Sequence, residues 1–363
     1  MNLGIVGLPN VGKSTLFNAI TKAGAAAANF PFCTIEPNVG AVAVPDARLD
    51  KLAEIYKPKK VIPAGVEFVD IAGLVKGASQ GEGKGNKFLS AIRETQAIVH
   101  VVRCFEDAEI THVSGKVDPA SDMEIINTEL ILADLESVER QFERLTKKAR
   151  GGDKEALRQQ ELAQALKEHL GKGLPARSIG FSGEDMALIK EFFLITAKPV
   201  LYAMNVSDAD LPGMSNALTQ IVEKIAKSEG AAAIAICAKI EAEVGELGDE
   251  EAGAFLKELG LSEPGLHRLI RASYDLLGLQ SYYTCGEQEV RAWTIPKGCK
   301  APQAAGVIHS DFERGFIRSE TMTYDQLIEK GSEKAMKDAG LMRSEGKEYV
   351  MQDGDIVHFR FNV

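Results

Sequence analysis

The sequence lacks any apolar run long enough to cross a membrane as a helix. Its N-terminus enters a short apolar segment directly, without the basic region and the cleavage site that are typical of a signal peptide. These two absences argue against a membrane protein and against a secreted protein. We therefore expect a cytoplasmic protein without a membrane partner.

Cysteine and positive charge are also scarce. The five cysteines are odd in number, widely spaced and form no C-x-x-C, so neither a disulfide framework nor a zinc site is expected. The 42 lysines and arginines are outnumbered by 52 aspartates and glutamates, which gives a net charge of −10. Such a field repels phosphate, so the chain does not coat nucleic acid over its whole surface, and any RNA contact is local.

What the sequence does contain is a phosphate-binding loop, Gly7–Ser14, with the letters GLPNVGKS. It follows the apolar run 3–6 and precedes the helical pattern 15–20, so it has the strand, loop and helix context that this motif requires. That context disfavours the alternative of a glycine-rich turn with an exposed lysine. Lys13 is expected to reach the β- and γ-phosphates, and the Ser14 hydroxyl to ligate Mg²⁺. The predicted nucleotide contacts in this motif are Asn10, Val11, Gly12, Lys13, Ser14 and Thr15.

Two later segments are expected to lie near the phosphates. The apolar run 66–70 predicts a strand that ends in Asp70, close to the Mg²⁺ water shell, and the Gly73 N–H is placed to sense the γ-phosphate. Thr34 precedes a strand predicted at 40–44; it is either a Mg²⁺ ligand or a β-branched residue beside a strand. Leu74 stands where Ras-like enzymes have a glutamine that orients water, so either catalysis is weak or another group positions the nucleophile.

The predicted base-reading segments follow two later strands. The strand 200–204 ends in Asn205-Val206-Ser207-Asp208, at the position of the guanine-reading N-K-x-D motif. Val206 replaces the lysine, which weakens a guanine reading, whereas Asp208 preserves part of it. The strand 231–236 ends in Cys237-Ala238-Lys239, which either resembles the S-A-K loop that contacts the base or is a plain buried strand with a turn. Asn205, Val206, Asp208, Cys237 and Ala238 are therefore candidate nucleotide contacts.

A helical insertion is predicted at 121–196. A capping box at Ser121–Glu124 opens a long helix whose apolar residues recur every three or four positions, Gly151-Gly152 breaks it, and a return helix follows at 155–170. A further capped helix is predicted at 182–195. Seven basic and three acidic residues lie between 140 and 158, at the tip of this coiled-coil hairpin. The tip is either a contact for a phosphate backbone or a solvated helical surface.

The last part of the chain predicts a small α+β module of β-grasp type. Short strands alternate with turns, one helix is expected at 324–339, and a tight turn at Asp353–Asp355 is expected to join the last two strands, 349–352 and 355–361, as a hairpin. The expected domains are a nucleotide-binding domain (1–120 and 197–278), the helical insertion (121–196) and the β-grasp module (279–363).

With these motifs placed, the whole chain resembles the YchF or Obg-like ATPase family, a branch of the Obg-related P-loop GTPases. The resemblance rests on GLPNVGKS, NFPFCT, DIAGLVKGAS and the altered NVSD, in the family's order, together with the coiled-coil insertion and a C-terminal module similar to a TGS domain. It implies that ATP is preferred over GTP and that a hydrophobic residue, here Leu74, replaces the catalytic glutamine. It also implies that His112 positions the water, although a surface loop histidine is the alternative, and that Asn10 supports K⁺ binding.

The expected fold is thus an α/β P-loop NTPase with a mostly parallel sheet, an inserted coiled-coil hairpin and a C-terminal TGS-like domain. The expected function is that of a Mg²⁺-dependent ATPase, with Lys13 and His112 catalytic, which acts as a slow switch. It is expected to bind the ribosome, through the large subunit, or RNA, and to be a monomer. Two alternatives stay open: a GTPase of the same fold, and a nucleic-acid-binding adaptor whose nucleotide only fixes its shape.

Overall fold

The computed structural model describes residues 1–26, 38–71, 84–113 and 115–362. Three residues named above, Thr34, Gly73 and Leu74, lie outside these ranges. Within them, no helix combines the length and the apolar character that a membrane span requires.

Strands and helices alternate through most of the chain. The strands are β1 (Asn2–Val6), β2 (Val39–Ala43), β3 (Lys60–Ile62), β4 (Gly65–Asp70), β5 (Ala97–Arg103), β6 (Val200–Asn205), β7 (Ala232–Ile236), β8 (Leu279–Cys285), β9 (Glu289–Pro296), β10 (Phe316–Thr323), β11 (Arg343–Glu345) and β12 (Asp355–Phe361). The helices are α1 (Lys13–Ala26), α2 (Ala47–Tyr56), α3 (Lys84–Glu94), α4 (Pro119–Ala149), α5 (Lys154–Gly171), α6 (Gly183–Leu188), α7 (Ala217–Ser228), α8 (Ala238–Val244), α9 (Asp249–Glu258), α10 (Gly265–Leu276), α11 (Ala301–Ile308), α12 (Ser310–Arg314), α13 (Tyr324–Lys330) and α14 (Glu333–Asp338).

The first sheet has the strand order β2-β4-β1-β5-β6-β7. The neighbours from β4 to β7 pair in parallel, and every residue of β5 and of β6 is buried. Such uninterrupted burial is typical of parallel strands that are covered on both faces. The predicted α/β fold with a mostly parallel sheet is confirmed, and its loops at the carboxyl ends of the strands meet at one edge.

The hairpin is formed by α4 and α5. The apolar positions predicted as its seam are buried or packed against the buried cluster, as are those of the return helix: Ile131, Leu135, Val138, Phe142, Leu145, Leu162, Leu166 and Leu170. The predicted helix start at Ser121 is wrong, because α4 begins at Pro119 and Asp118 is the N-cap, accepting from the Ser121 N–H at 3.3 Å. Proline in the first turn after an aspartate cap is the stronger start signal.

The helix predicted at 182–195 is also shorter than expected. Ser182 does cap it, but α6 ends at Leu188, a 3₁₀ turn follows at Lys190–Phe192, and Phe193 is left-handed. The buried carboxylate of Asp134 accepts the N–H groups of residues 195 and 196 at 2.9 and 2.7 Å. Those donors therefore serve a tertiary contact instead of a helix.

Two compact units divide the described residues. The first contains 1–22, 38–40 and the described part of 67–269, and the second contains 23–26, 41–66 and 270–362. The second unit has its own sheet, in the order β11-β10-β12-β8-β9-β3, in which β3 pairs in parallel with β9. The segment 41–66 thus completes a sheet whose other strands lie more than 200 residues later.

Two details of the C-terminal prediction are wrong. The helix expected at 324–339 is two helices, α13 and α14, because Gly331 is left-handed between them and Ser332 caps the second. Residues 349–352 form no strand: Val350 makes only an isolated bridge to Lys300, and β12 pairs with β10 and β8. The Asp355 carboxylate accepts from the Gln352 N–H at 2.9 Å, so the turn closes on itself and joins no hairpin.

Candidate functional site

The loop from β1 to α1 depends on its glycines. Gly12 has φ = 91°, and a Cβ there would lie 2.1 Å from Nδ2 of Asn205, so both its conformation and its surroundings require glycine. A Cβ on Gly7 would lie 2.9 Å from the Val101 carbonyl oxygen. The chain can pass this closely beside β5 and β6 only without side chains, and it then enters α1 at Lys13.

Lys13 and Asp70 lie side by side. The Lys13 side chain is 9% exposed, and its ammonium forms an ion pair with Oδ1 of Asp70 at the end of β4. Parallel pairing of β1 with β4, with Ile5 opposite Asp70, brings the two residues together. Lys13 is therefore not the exposed lysine of a simple glycine turn. A buried ammonium at the start of a helix, beside a carboxylate, suits a phosphate and its counter-ion.

Asn205 joins two loops. Its side chain is buried; its Nδ2 donates to the Val11 carbonyl at 2.9 Å, and its Oδ1 accepts from the Ala238 N–H at 3.0 Å. Both ends of the amide are therefore used to hold the phosphate loop against the start of α8. This supporting role adds to the nucleotide contact that the sequence predicted for Asn205.

The predicted base-reading residues share a cavity of about 350 Å³ with the phosphate loop. Asp208 and Lys239 lie at this cavity, with Nζ of Lys239 2.6 Å from Oδ2 of Asp208. The hydrogen bond from Lys239 lowers the pKa of Asp208, which keeps the carboxylate ionised. The lining residues are Asn10, Gly12, Thr15, Phe105, Asp107, Ile110, Asn205, Val206, Ser207, Asp208, Cys237, Ala238 and Lys239.

One wall of this cavity was not predicted. Arg103, at the end of β5, is 1% exposed and donates to the carbonyls of Phe105, Ile110 and Asp107 at 3.1, 3.0 and 3.3 Å. The guanidinium also lies 4.7 Å from the centre of the Phe105 ring. Arg103 therefore shapes the loop whose side chains line the cavity. The available signal was an arginine at the carboxyl end of a mostly apolar strand.

His112 is buried, not a surface histidine. Its Nε2 lies 2.9 Å from Oδ2 of Asp122 on α4. Burial raises the pKa of Asp122, and the bond to the imidazole opposes that rise. Asn10, which has φ = 64°, donates from Nδ2 to the Thr111 carbonyl at 3.1 Å, so the phosphate loop lies next to the segment that carries His112.

The remaining predicted sites concern metals. The described residues contain no cluster of three or more His, Cys, Asp or Glu side chains that could hold an ion on its own. A hydroxyl at Ser14, which is exposed at the start of α1, and a carboxylate at Asp70 are oxygen donors of the kind that Mg²⁺ prefers, with phosphates and waters as its other ligands. The donor set therefore fits Mg²⁺, while Thr34 lies outside the described residues.

Comparison with known proteins identifies the family. The family model YchF-GTPase_C matches residues 279–362, and one described as 50S ribosome-binding GTPase matches residues 2–139. The chain is 58% identical to the ribosome-binding ATPase YchF of Bacillus subtilis, with 100% of both chains covered. The chain belongs to the YchF family. Its YchF relative from Haemophilus influenzae, also called a ribosome-binding ATPase, is 56% identical over 99% of both chains.

A solved structure agrees over the full length. The YchF GTPase of Schizosaccharomyces pombe superimposes with a TM-score of 0.90 at 44% identity, covering 99% of this chain and 97% of that one. Both the P-loop domain and the C-terminal module therefore have the YchF fold. The family resemblance and the fold predicted from the sequence are confirmed.

Proposed function

We propose that this YchF-family protein is a Mg²⁺-dependent ATPase that hydrolyses ATP to ADP and phosphate as a slow switch and binds the ribosome. One observation carries the nucleotide part: Gly12 of the phosphate loop and Thr15 in the first turn of α1 line the same cavity as Asp208 and Ala238. A single cavity is thus lined both by residues of the phosphate-binding segment and by predicted base-reading residues. The names of the relatives, ribosome-binding ATPase YchF, support ATP as the substrate.

The contacts of the described residues support the proposed catalytic roles. In this proposal Lys13 binds the β- and γ-phosphates. Ser14 and, through water, Asp70 would hold Mg²⁺, which would supply positive charge against the phosphates. His112 positions the attacking water, and Asp122 fixes the orientation of its ring through the 2.9 Å contact. Asn10 is the proposed K⁺ ligand, and the Gly73 N–H the proposed γ-phosphate contact.

The hairpin tip supports an RNA contact on the ribosome. Three of its basic residues, Arg140, Lys148 and Arg158, form ion pairs. The other four are exposed and have no carboxylate within ion-pair distance among the described residues: Arg144, Lys147, Arg150 and Lys154. Four unpaired cations on an acidic protein suit a local phosphate contact, which we propose lies on the large subunit.

Hydrolysis is tested by single-turnover assays with the variants Lys13→Ala and His112→Ala. We expect Lys13→Ala to abolish turnover and His112→Ala to slow it while ATP still binds. Unchanged turnover in Lys13→Ala would refute the mechanism, whereas unchanged turnover in His112→Ala would refute only the histidine's role. A clear preference for GTP when ATP and GTP compete for the protein would favour the GTPase alternative. The retained Asp208 is the residue that supports this alternative.

Ribosome binding is tested by co-sedimentation in ATP, ADP or neither. We expect binding to depend on the nucleotide and to fall when Arg144, Lys147, Arg150 and Lys154 are changed to alanine. The matched control changes the three ion-paired residues Arg140, Lys148 and Arg158, and should bind better than the first variant. Binding that survives nucleotide removal, without any rise in hydrolysis on contact, would support the adaptor alternative instead.

A further inference from the structure

The segment that carries His112 is an exposed loop at the end of β5. Residues 106–111 are all exposed, whereas His112 itself is buried, with 6% of its surface accessible. An exposed segment without regular structure has few packing contacts that could fix its course. The position of the imidazole therefore depends on the polar contacts that anchor this loop.

Arg103 supplies three of these anchoring contacts. Its guanidinium is 1% exposed and donates to the carbonyls of Phe105, Ile110 and Asp107 at 3.1, 3.0 and 3.3 Å. The planar guanidinium carries its donors in a fixed fork, so one side chain holds three points of the backbone at once. The Ile110 carbonyl lies two residues before His112. Arg103 thus fixes the backbone that leads to the histidine.

The same cation acts on the partner of His112. Oδ2 of Asp122 lies 2.9 Å from Nε2 of His112, while its Oδ1 is buried without a hydrogen-bond partner in the part of the chain that the structure describes. Burial raises the pKa of Asp122, and the bond to the imidazole and the positive charge of Arg103 oppose that rise. As an ionised carboxylate Asp122 can only accept, so Nε2 then carries the proton and Nδ1 the lone pair.

We propose that Arg103 is a positioning residue for His112: it holds the loop that carries the imidazole and supports the carboxylate that orients the ring. This inference rests on the function proposed above, in which His112 positions the attacking water. Arg103 does not itself line the nucleotide cavity. Because a misplacement of about 1 Å can slow a catalysed step by about 100-fold, the loss of Arg103 should appear in the rate of the chemical step.

The kinetic test is a double-mutant cycle in single-turnover hydrolysis at saturating ATP. We expect Arg103→Met to slow the reaction by about tenfold to 100-fold. Arg103→Lys keeps the charge near Asp122 but not the fork, so we expect a smaller loss, about threefold to tenfold. In the His112→Ala background neither change should slow the reaction by more than about twofold, because the residue that Arg103 positions is already absent.

Lys198→Met is the matched control. Nζ of Lys198 also donates to three carbonyls in the same compact unit, those of residues 92, 93 and 95, and these lie outside the loop that carries His112. We expect this variant to lower the free energy of unfolding in urea while the single-turnover rate stays unchanged. A loss of rate as large as that of Arg103→Met would mean that both variants act through general destabilisation, and would overturn the inference.

A spectroscopic readout of the histidine needs no hydrolysis. Histidine-selective ¹⁵N NMR of the nucleotide-free protein shows which ring nitrogen carries the proton, and the spectrum of His112→Ala identifies the signal of His112. We expect the proton of His112 on Nε2 in the unchanged protein. Both Arg103 variants should show a smaller share of this tautomer, since the contact with Asp122 is then less well fixed.

Two further results would overturn the inference. Equal slowing by Arg103→Lys with and without His112 would mean that Arg103 acts through the nucleotide cavity, and an unchanged tautomer in both variants would mean that the imidazole does not depend on Arg103. If Arg103→Met does not fold, Arg103→Lys decides both tests. The proposed function fails by a different result: an unchanged protein that binds ATP but never hydrolyses it refutes the ATPase, while the tautomer still tests the role of Arg103.

Discussion

Replacing Asn205 by alanine is the sharpest perturbation of the candidate site. The side-chain amide donates to the Val11 carbonyl at 2.9 Å and accepts from the Ala238 N–H at 3.0 Å. It also packs against Gly12, where no Cβ fits. Alanine removes both bonds while leaving the backbone of both partner segments unchanged.

The energetic effect follows from the two groups left behind. A buried polar group without a partner costs about 1–3 kcal/mol, so two such groups cost about 2–6 kcal/mol. Because Asn205 lines the cavity of about 350 Å³, water can enter part of the space that the removed side chain leaves. We therefore expect a cost at the lower end of this range, about 2–3 kcal/mol. If ATP binding must supply this energy to bring the two loops back together, the affinity for ATP falls by about 30-fold to 150-fold.

The assays are urea unfolding and titration of a fluorescent ATP analogue. Gln280→Ala is the matched control, since Nε2 of Gln280 is also buried and donates to the Met351 carbonyl at 2.7 Å, but in the second compact unit. We expect Gln280→Ala to lower the free energy of unfolding without weakening ATP binding. If Asn205→Ala binds ATP as tightly as the unchanged protein, the amide does not organise the two loops and the reasoning is wrong.

Three further variants test other parts of the structure. Gly12→Ala should lose about tenfold or more in ATP affinity by titration, because its Cβ would lie 2.1 Å from Asn205 and φ is 91°; unchanged affinity would contradict the loop geometry. Burial lowers the pKa of His100 to about 3, so the unfolded chain binds more protons below pH 6.5. Urea unfolding should show a loss of about 2 kcal/mol from pH 7.5 to pH 5 that is missing in His100→Gln, and an equal loss in the variant would refute this. The bond from His358 lowers the pKa of Glu333, so its stabilisation is present above the usual glutamate pKa and is lost as the pH falls through the lowered value. The unfolding midpoints of the unchanged protein and Glu333→Gln should therefore differ at pH 7 and converge as the pH falls below the usual glutamate pKa; a difference that stays constant with pH would count against this account.

The parts that the sequence predicted well depend on short stretches of chain. The phosphate loop needs only a strand, a glycine turn and a helix in succession, and β1 and α1 are where the pattern indicates. The strand that ends in Asp70 was also predicted, and its parallel pairing with β1 is what brings Asp70 to Lys13. The seam of the hairpin likewise follows from the helical period of its apolar residues.

The parts that were missed depend on contacts between distant residues. No local pattern in 41–66 indicates that β3 pairs with β9, because that pairing joins residues more than 200 positions apart. The carbonyl groups held by Arg103 belong to a loop without regular structure, so no period reveals them. The helix predicted at 182–195 ends at Leu188, and the N–H groups of residues 195 and 196 instead donate to Asp134, about 60 positions earlier in the chain.

The position of the N-cap at Asp118 determines both where α4 starts and which side chain contacts His112. With Ser121 as the cap, as the sequence predicted, Asp122 would be the first helical residue of an exposed helix end. Because Asp118 caps the helix instead, Asp122 lies within the first turn, where its side chain is buried and its Oδ2 meets the imidazole at 2.9 Å. The neighbouring Thr111 carbonyl accepts from Asn10 at 3.1 Å. Moving the cap by one turn would therefore remove the contact between Asp122 and His112, in the same segment that the phosphate loop contacts. The helix start and this contact of the histidine are set together.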